Sequence, residues 1–235
     1  MQQILDDEYT IYYEQELENF ANQTLTFAKV KKQELYKLFN CKKEDIGIIK
    51  CSFFANKDNF FNYIKSISGG KTPPSWAKGC TYNKEIQVLV ENNQLNQRMP
   101  TLAHETVHIF FNKIIYQHNI QRIRWLDESF AIYLSKNEGE LSIEKSNEII
   151  NSLKNLPKDF DIGTLNDESK IHTNEYNGYK MFRLVGHYIF ENHLEKNLIN
   201  TIKIDREKMM EIGKTILWDS INYFTNKNAN KKSQV

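Results

Sequence analysis

Cysteine is scarce and odd in number: Cys41, Cys51 and Cys80 lie far apart in 235 residues. That excludes the disulfide framework that staples small secreted domains, and the three read as reduced, buried or half-buried thiols. No run approaches the roughly eighteen apolar residues of a membrane span. The opening residues, Met1 to Glu8, lack the basic and apolar regions of a signal peptide. The expected location is therefore cytoplasmic, and secretion would need a leader upstream of Met1. Lys and Arg total 31 against 30 Asp and Glu, so the formal charge of +1 gives no electrostatic reason to expect nucleic acid as a partner. There is no internal repeat. What is present, 40% hydrophobic and 12% aromatic residues, suffices for one good core or two small lobes.

The apolar spacing predicts an α+β fold: a small N-terminal α/β lobe with a short sheet, then a mainly helical lobe carrying the functional residues. Residues 1–40 read as a helical segment, with Leu17, Phe20, Ala21, Leu25 and Ala28 at helical spacing, in one long helix or two. Residues 41–95 read as the α/β lobe, with a strand over 45–54, a helix over 57–67 and a second strand over 81–91. Between them, Gly69-Gly70-Lys71-Thr72 looks superficially like a phosphate-binding loop. Lys65 stands where the earlier glycine is required, and Pro73-Pro74 forbids the helix that should follow. Residues 96–225 read as the helical lobe, with helices over 142–156, 177–194 and 207–225 after the functional segment. The polar residues 226–235 read as a disordered tail.

The chemistry is concentrated in His104-Glu105-Thr106-Val107-His108. Two imidazoles four residues apart on a helix stand one above the other, close enough to bind one metal ion, and the intervening glutamate sits beside that metal. Pro100 suits a first helical turn, and Leu102, Ala103, Ile109, Phe110 and Ile114 supply the faces turned from the metal, so a helix from about 100 to 116 is expected. A catalytic zinc takes three protein ligands and keeps one position for water, so a third ligand should follow. Trp125 to Leu134 reads as a second helix with Glu128 near its start, after enough chain to return antiparallel. The bland alternatives are satisfied core histidines and a first-turn glutamate favoured by the helix dipole.

His104-Glu105-Thr106-Val107-His108 followed by Trp125-Leu126-Asp127-Glu128-Ser129-Phe130-Ala131 resembles the gluzincin metallopeptidases, in which HExxH precedes a WLxE helix. The nearest resemblance is to compact bacterial peptidase MA-like proteins, related to the catalytic core of the M1 aminopeptidases and thermolysin. It implies a zincin-like fold, one Zn2+ per chain held by His104, His108 and Glu128, and Glu105 as general base. Trp76-Ala77-Lys78-Gly79 and Tyr176-Asn177-Gly178-Tyr179 resemble flanking family segments more weakly. Three positions depart from the pattern. Ser129 replaces the usual glycine, the GxMEN signature of aminopeptidases is absent, and Ile132 stands where thermolysin-like enzymes carry an orienting Asp. Asp127 is the remaining candidate for that orienting role, although its neighbouring helical position points it elsewhere.

The expected activity is peptide-bond hydrolysis on a peptide or protein substrate, with Glu105 moving the proton. Tyr176 is the candidate donor to the oxyanion, with Tyr179 and His172 as runners-up. The stretch 79–90 alternates as an edge strand would, so its backbone is expected to bind an extended peptide by strand addition. The alternatives are a catalytically weak or inactive zincin-fold binding protein, an aminopeptidase, and a zinc hydrolase of non-peptide amides. His118, His187 and His193 read as terminal or core histidines.

Overall fold

A computed structural model of the chain describes residues 1–71, 78–82, 85–91, 95–136, 139–171 and 177–232. The chain divides into two compact units, Met1–Lys113 and Ile114–Val235. The strands, with helices between them, all fall in the first unit and the described elements after them are helical, so the fold is α+β.

The first unit is built on a five-stranded sheet: β1 (Gln2–Leu5), β2 (Tyr9–Tyr13), β3 (Ile49–Phe54), β4 (Gly79–Tyr82) and β5 (Glu85–Leu89), in the order β1-β2-β3-β5-β4. The three central strands are parallel, and each edge strand pairs antiparallel with its neighbour. Register is set by alternation. Ile11, Cys51 and Ile86 stand abreast across β2, β3 and β5, as do Tyr13, Phe53 and Val88. All six are buried on one face. A slip of one residue would turn all six outward, which fixes the pairing strongly.

Two helices cover that face. On α1 (Glu18–Phe39), Phe20, Ala21, Leu25 and Ala28 join the sheet's core, and the helix stops at Asn40, whose left-handed φ of 52° ends it. On α5 (Thr101–His118), Leu102 and Ile109 join the same core, while Phe110 and Phe111 pack against the rings of Tyr36 and Phe39. The opposite face carries α3 (Lys57–Ile67), where Phe60 and Ile64 meet Phe54 and Leu89. Asn56 caps α3 by accepting from the backbone N–H groups of Asp58 and Asn59. The short helices α2 (Lys43–Ile46) and α4 (Leu95–Arg98) complete the unit. Lys32 of α1 is buried; its Nζ donates to the carbonyls of Glu8 and Gly47 and lies 4.8 Å from the Tyr9 ring centroid. That desolvation pulls its pKa down to about 8.

The second unit is helical, with α6 (Arg124–Leu134), α7 (Ile143–Ser152), α8 (Gly178–Glu191), α9 (Glu195–Ile204) and α10 (Arg206–Lys232). α6 and α8 pack through Phe130, Tyr133 and Phe190, the Tyr133 and Phe190 rings stacking at 4.1 Å. Gly186 brings the two backbones together, since a Cβ there would lie 2.5 Å from the Ser129 carbonyl oxygen.

Four sequence expectations change. Residues 1–40 are not helical throughout, because β1 and β2 precede α1; β1 pairs with β2, and β2 finds its other partner in β3, some forty residues along the chain. The strand expected over 45–54 begins only at Ile49, Asp45 belonging to α2. The strand expected over 81–91 is two strands, β4 and β5, with β5 inside the sheet and β4 alone at its edge. The expected disordered tail is helical to Lys232. Asn228 is buried and donates to Ser146 Oγ and Asn147 Oδ1, and Lys227 pairs with Glu140 and Glu191.

Candidate metal centre

α5 starts cleanly, the His104 N–H donating to the Pro100 carbonyl at 2.9 Å. Its first half is anchored to the central sheet: Thr106 Oγ1 donates to the Leu102 carbonyl and meets the Tyr9 hydroxyl at 3.1 Å. Thr106 is fully buried between Glu105 and Val107, so the helix cannot rotate about its axis without breaking this bond inside the core. The face carrying His104 and His108 is thereby set.

The two imidazoles meet edge to face, with Nε2 atoms 3.2 Å apart. Two nitrogens bound at 2.0–2.1 Å to a tetrahedral zinc are separated by about 3.3 Å. The pair already has the spacing that a shared ion imposes. His104, His108 and Glu128 form a group whose ligand atoms lie within 4.8 Å of one another. The donor set of two imidazole nitrogens and one carboxylate is that of a catalytic zinc site with a position left over for water. The residues fit the ion that the sequence implies.

Glu105 is held by β4. Gly79 and Thr81 stand opposite Val88 and Ile86, so both belong to the face that α5 covers. Thr81 Oγ1 donates to Glu105 Oε2 at 2.7 Å, and a Cβ on Gly79 would come within 3.3 Å of Oε1 and 2.9 Å of the Thr101 methyl. One oxygen of the carboxylate is thus fixed by a hydroxyl, while the absence of a side chain keeps space beside the other. Neither role was visible in the local sequence; the signal was the alternation of Gly79 and Thr81 on one face of a strand. Replacing Thr81 by Val keeps the volume and removes the donor; if Glu105 is the general base that the HExxH pattern implies, kcat should fall about tenfold with metal content unchanged. An unaltered kcat would mean that Glu105 needs no support from β4.

The neighbouring cysteine takes no part. The Cys80 thiol donates to Gln87 Oε1, and burial, with a smaller contribution from the Glu105 charge, pushes its pKa up to about 12. Among the described residues no disulfide joins Cys41, Cys51 or Cys80.

On α6, Glu128 and the fully buried Asp127 share a partner in Arg122, which reaches back from the segment before the helix. Of the candidate oxyanion donors, Tyr176 and His172 lie outside the described residues, as does Trp76. Tyr179 is on the first turn of α8, exposed, with its ring edge to Phe182. His187 is buried on α8 near Glu191, and His118 ends α5 in solvent. Among the described residues no helix is long and apolar enough to cross a membrane. No protein-family model matches the chain, and no curated protein matches it at a significant level.

Proposed function

We propose that this chain is a zinc-dependent peptide-bond hydrolase of the gluzincin type. The observation that carries the reading is the grouping of His104, His108 and Glu128, with Glu105 on the same helical turn but outside the ligand group. When bound, zinc supplies a Lewis acid for the scissile carbonyl and an acidified water. Glu105 accepts the proton of that water and delivers it to the leaving amine, Thr81 keeping the carboxylate oriented through the transfer. Tyr176 is proposed to donate to the developing oxyanion, a contribution worth about 2.7–4 kcal/mol in comparable sites.

The proposed substrate is an extended peptide. β4 is the edge of the sheet, hydrogen-bonded to β5 on one side, and strand addition along its other side would set a scissile carbonyl beside the base. Affinity then comes from main-chain bonds and side-chain preference is broad.

Metal analysis of the purified protein tests the reading, together with hydrolysis of a length series from dipeptide to decapeptide. Zinc near one per chain should fall to background in His104→Ala and Glu128→Ala, and activity should rise with peptide length. Undiminished zinc in both variants would sink the ligand assignment. Best activity on a single-residue amide would make the enzyme an aminopeptidase, and zinc binding with no hydrolysis of any peptide would make it a binding protein.

A further inference from the structure

Arg122 meets two consecutive acidic residues with one edge of its guanidinium. Nε donates to Asp127 Oδ2, and Nη2 lies 3.6 Å from Glu128 Oε1. These two nitrogens form one side of a rigid planar group, so fixing either contact fixes the other. Consecutive side chains on a helix diverge by about 100°, and helical spacing alone would not give Asp127 and Glu128 a common partner. The partner has to come from outside the helix, and Arg122 does so from the segment preceding α6. That segment is itself fixed: Asn119 turns with a φ of 49°, the Ile120 N–H donates to the Ile115 carbonyl, and Ile123 is buried. The side chains of Asp127 and Glu128 are 1% and 7% exposed, that of Arg122 34%. The two carboxylates are therefore enclosed while the cation is reached from solvent.

Resting on the assignment of Glu128 as a zinc ligand, we infer that Arg122, braced by Asp127, is the positioning residue for that ligand. Asp127 holds the plane of the guanidinium, and the guanidinium holds Glu128 through Oε1. A glutamate has three side-chain torsions, and a carboxylate without such a brace would have to be ordered by the metal at the moment of binding. Arg122 acts on the metal site through Glu128. Asp127 thus has an orienting role, exerted through a cation rather than through a histidine.

The test is zinc affinity measured by competition with a chromophoric chelator, alongside thermal unfolding of the zinc-free protein, for wild type, Arg122→Gln, Arg122→Lys and Asp127→Asn. We expect Arg122→Gln to weaken zinc binding about 10–100-fold. Arg122→Lys keeps the charge and loses the two-nitrogen edge, so it should restore only part of the affinity. Asp127→Asn should weaken binding less than Arg122→Gln. If Arg122→Gln does not fold, Arg122→Lys carries the test, with at least a fivefold loss expected. Wild-type affinity in the folded variants overturns the inference while leaving zinc binding intact. A wild-type protein that binds no zinc in the same assay overturns the proposed function, and this inference with it.

Discussion

Glu105→Gln is expected to retain about one zinc per chain and to lose hydrolysis by a factor of about 10²–10⁴, the usual contribution of a positioned general base. The amide matches the carboxylate in size, and its oxygen can still accept from Thr81 Oγ1, so the side chain should stay where it is. What it loses is the ability to take a proton at neutral pH. Such a factor corresponds to about 3–5 kcal/mol of transition-state stabilisation. Zinc should stay because Glu105 is outside the group formed by His104, His108 and Glu128. Metal content and kcat measured on one preparation separate the two roles. A variant that cleaves peptides at the wild-type rate would remove Glu105 from the mechanism, whereas one that loses zinc would make it a ligand.

The second large effect is expected at a residue without a side chain. Gly186→Val places a branched Cβ where the Ser129 carbonyl oxygen is 2.5 Å away and the Tyr133 Cβ 3.4 Å away. Both neighbours are α6 backbone or rigidly attached to it, so the clash cannot be relieved by a rotamer change and the helices must separate. Overpacking of this kind costs about 1–3 kcal/mol when neighbours can move, and more when they cannot. We expect a loss of more than about 3 kcal/mol in urea denaturation. Asn200→Val, exposed on α9, controls for a β-branched residue in a helix and should change little. Because Ser129 follows Glu128 directly, zinc affinity should fall in Gly186→Val even in the fraction that folds. A midpoint equal to wild type would show that α6 and α8 tolerate a wider spacing. Gly186 on the facing helix supplies the close approach to the Ser129 backbone.

Local patterns carried the helices, and distant partners carried what the patterns missed. Residues 57–67 were read as a helix with the bounds it has, because Asn56 caps it and Phe60 and Ile64 repeat on one face. α5 and α6 are legible from their apolar spacing, and the four-residue spacing on α5 puts His104 and His108 side by side. β2 was not. Its alternation of Tyr9, Ile11 and Tyr13 spans only five residues, and its stability comes from β3, across all of α1. The polar residues around Asn228 have no apolar period, and their order depends on Ser146 and Asn147, about eighty residues earlier. Thr81 and Arg122 went unrecognised because a hydroxyl on a strand and an arginine in a connecting segment acquire meaning only from what the fold sets beside them.

The seat of Glu105 has a consequence for how this chain can vary. Gly79 and Thr81 face the carboxylate only because β4 is aligned with Gly79 opposite Val88 and Thr81 opposite Ile86. A single residue inserted into or deleted from β4 would present Cys80 and Tyr82 to the same space. The opening would be filled and the Thr81 hydroxyl lost, with α5 and the proposed zinc ligands untouched. Lineages that diverge freely in side chains along this hairpin would still have to keep its length, so a gap there in an alignment would mark a chain that had given up the proposed hydrolysis while its HExxH persisted.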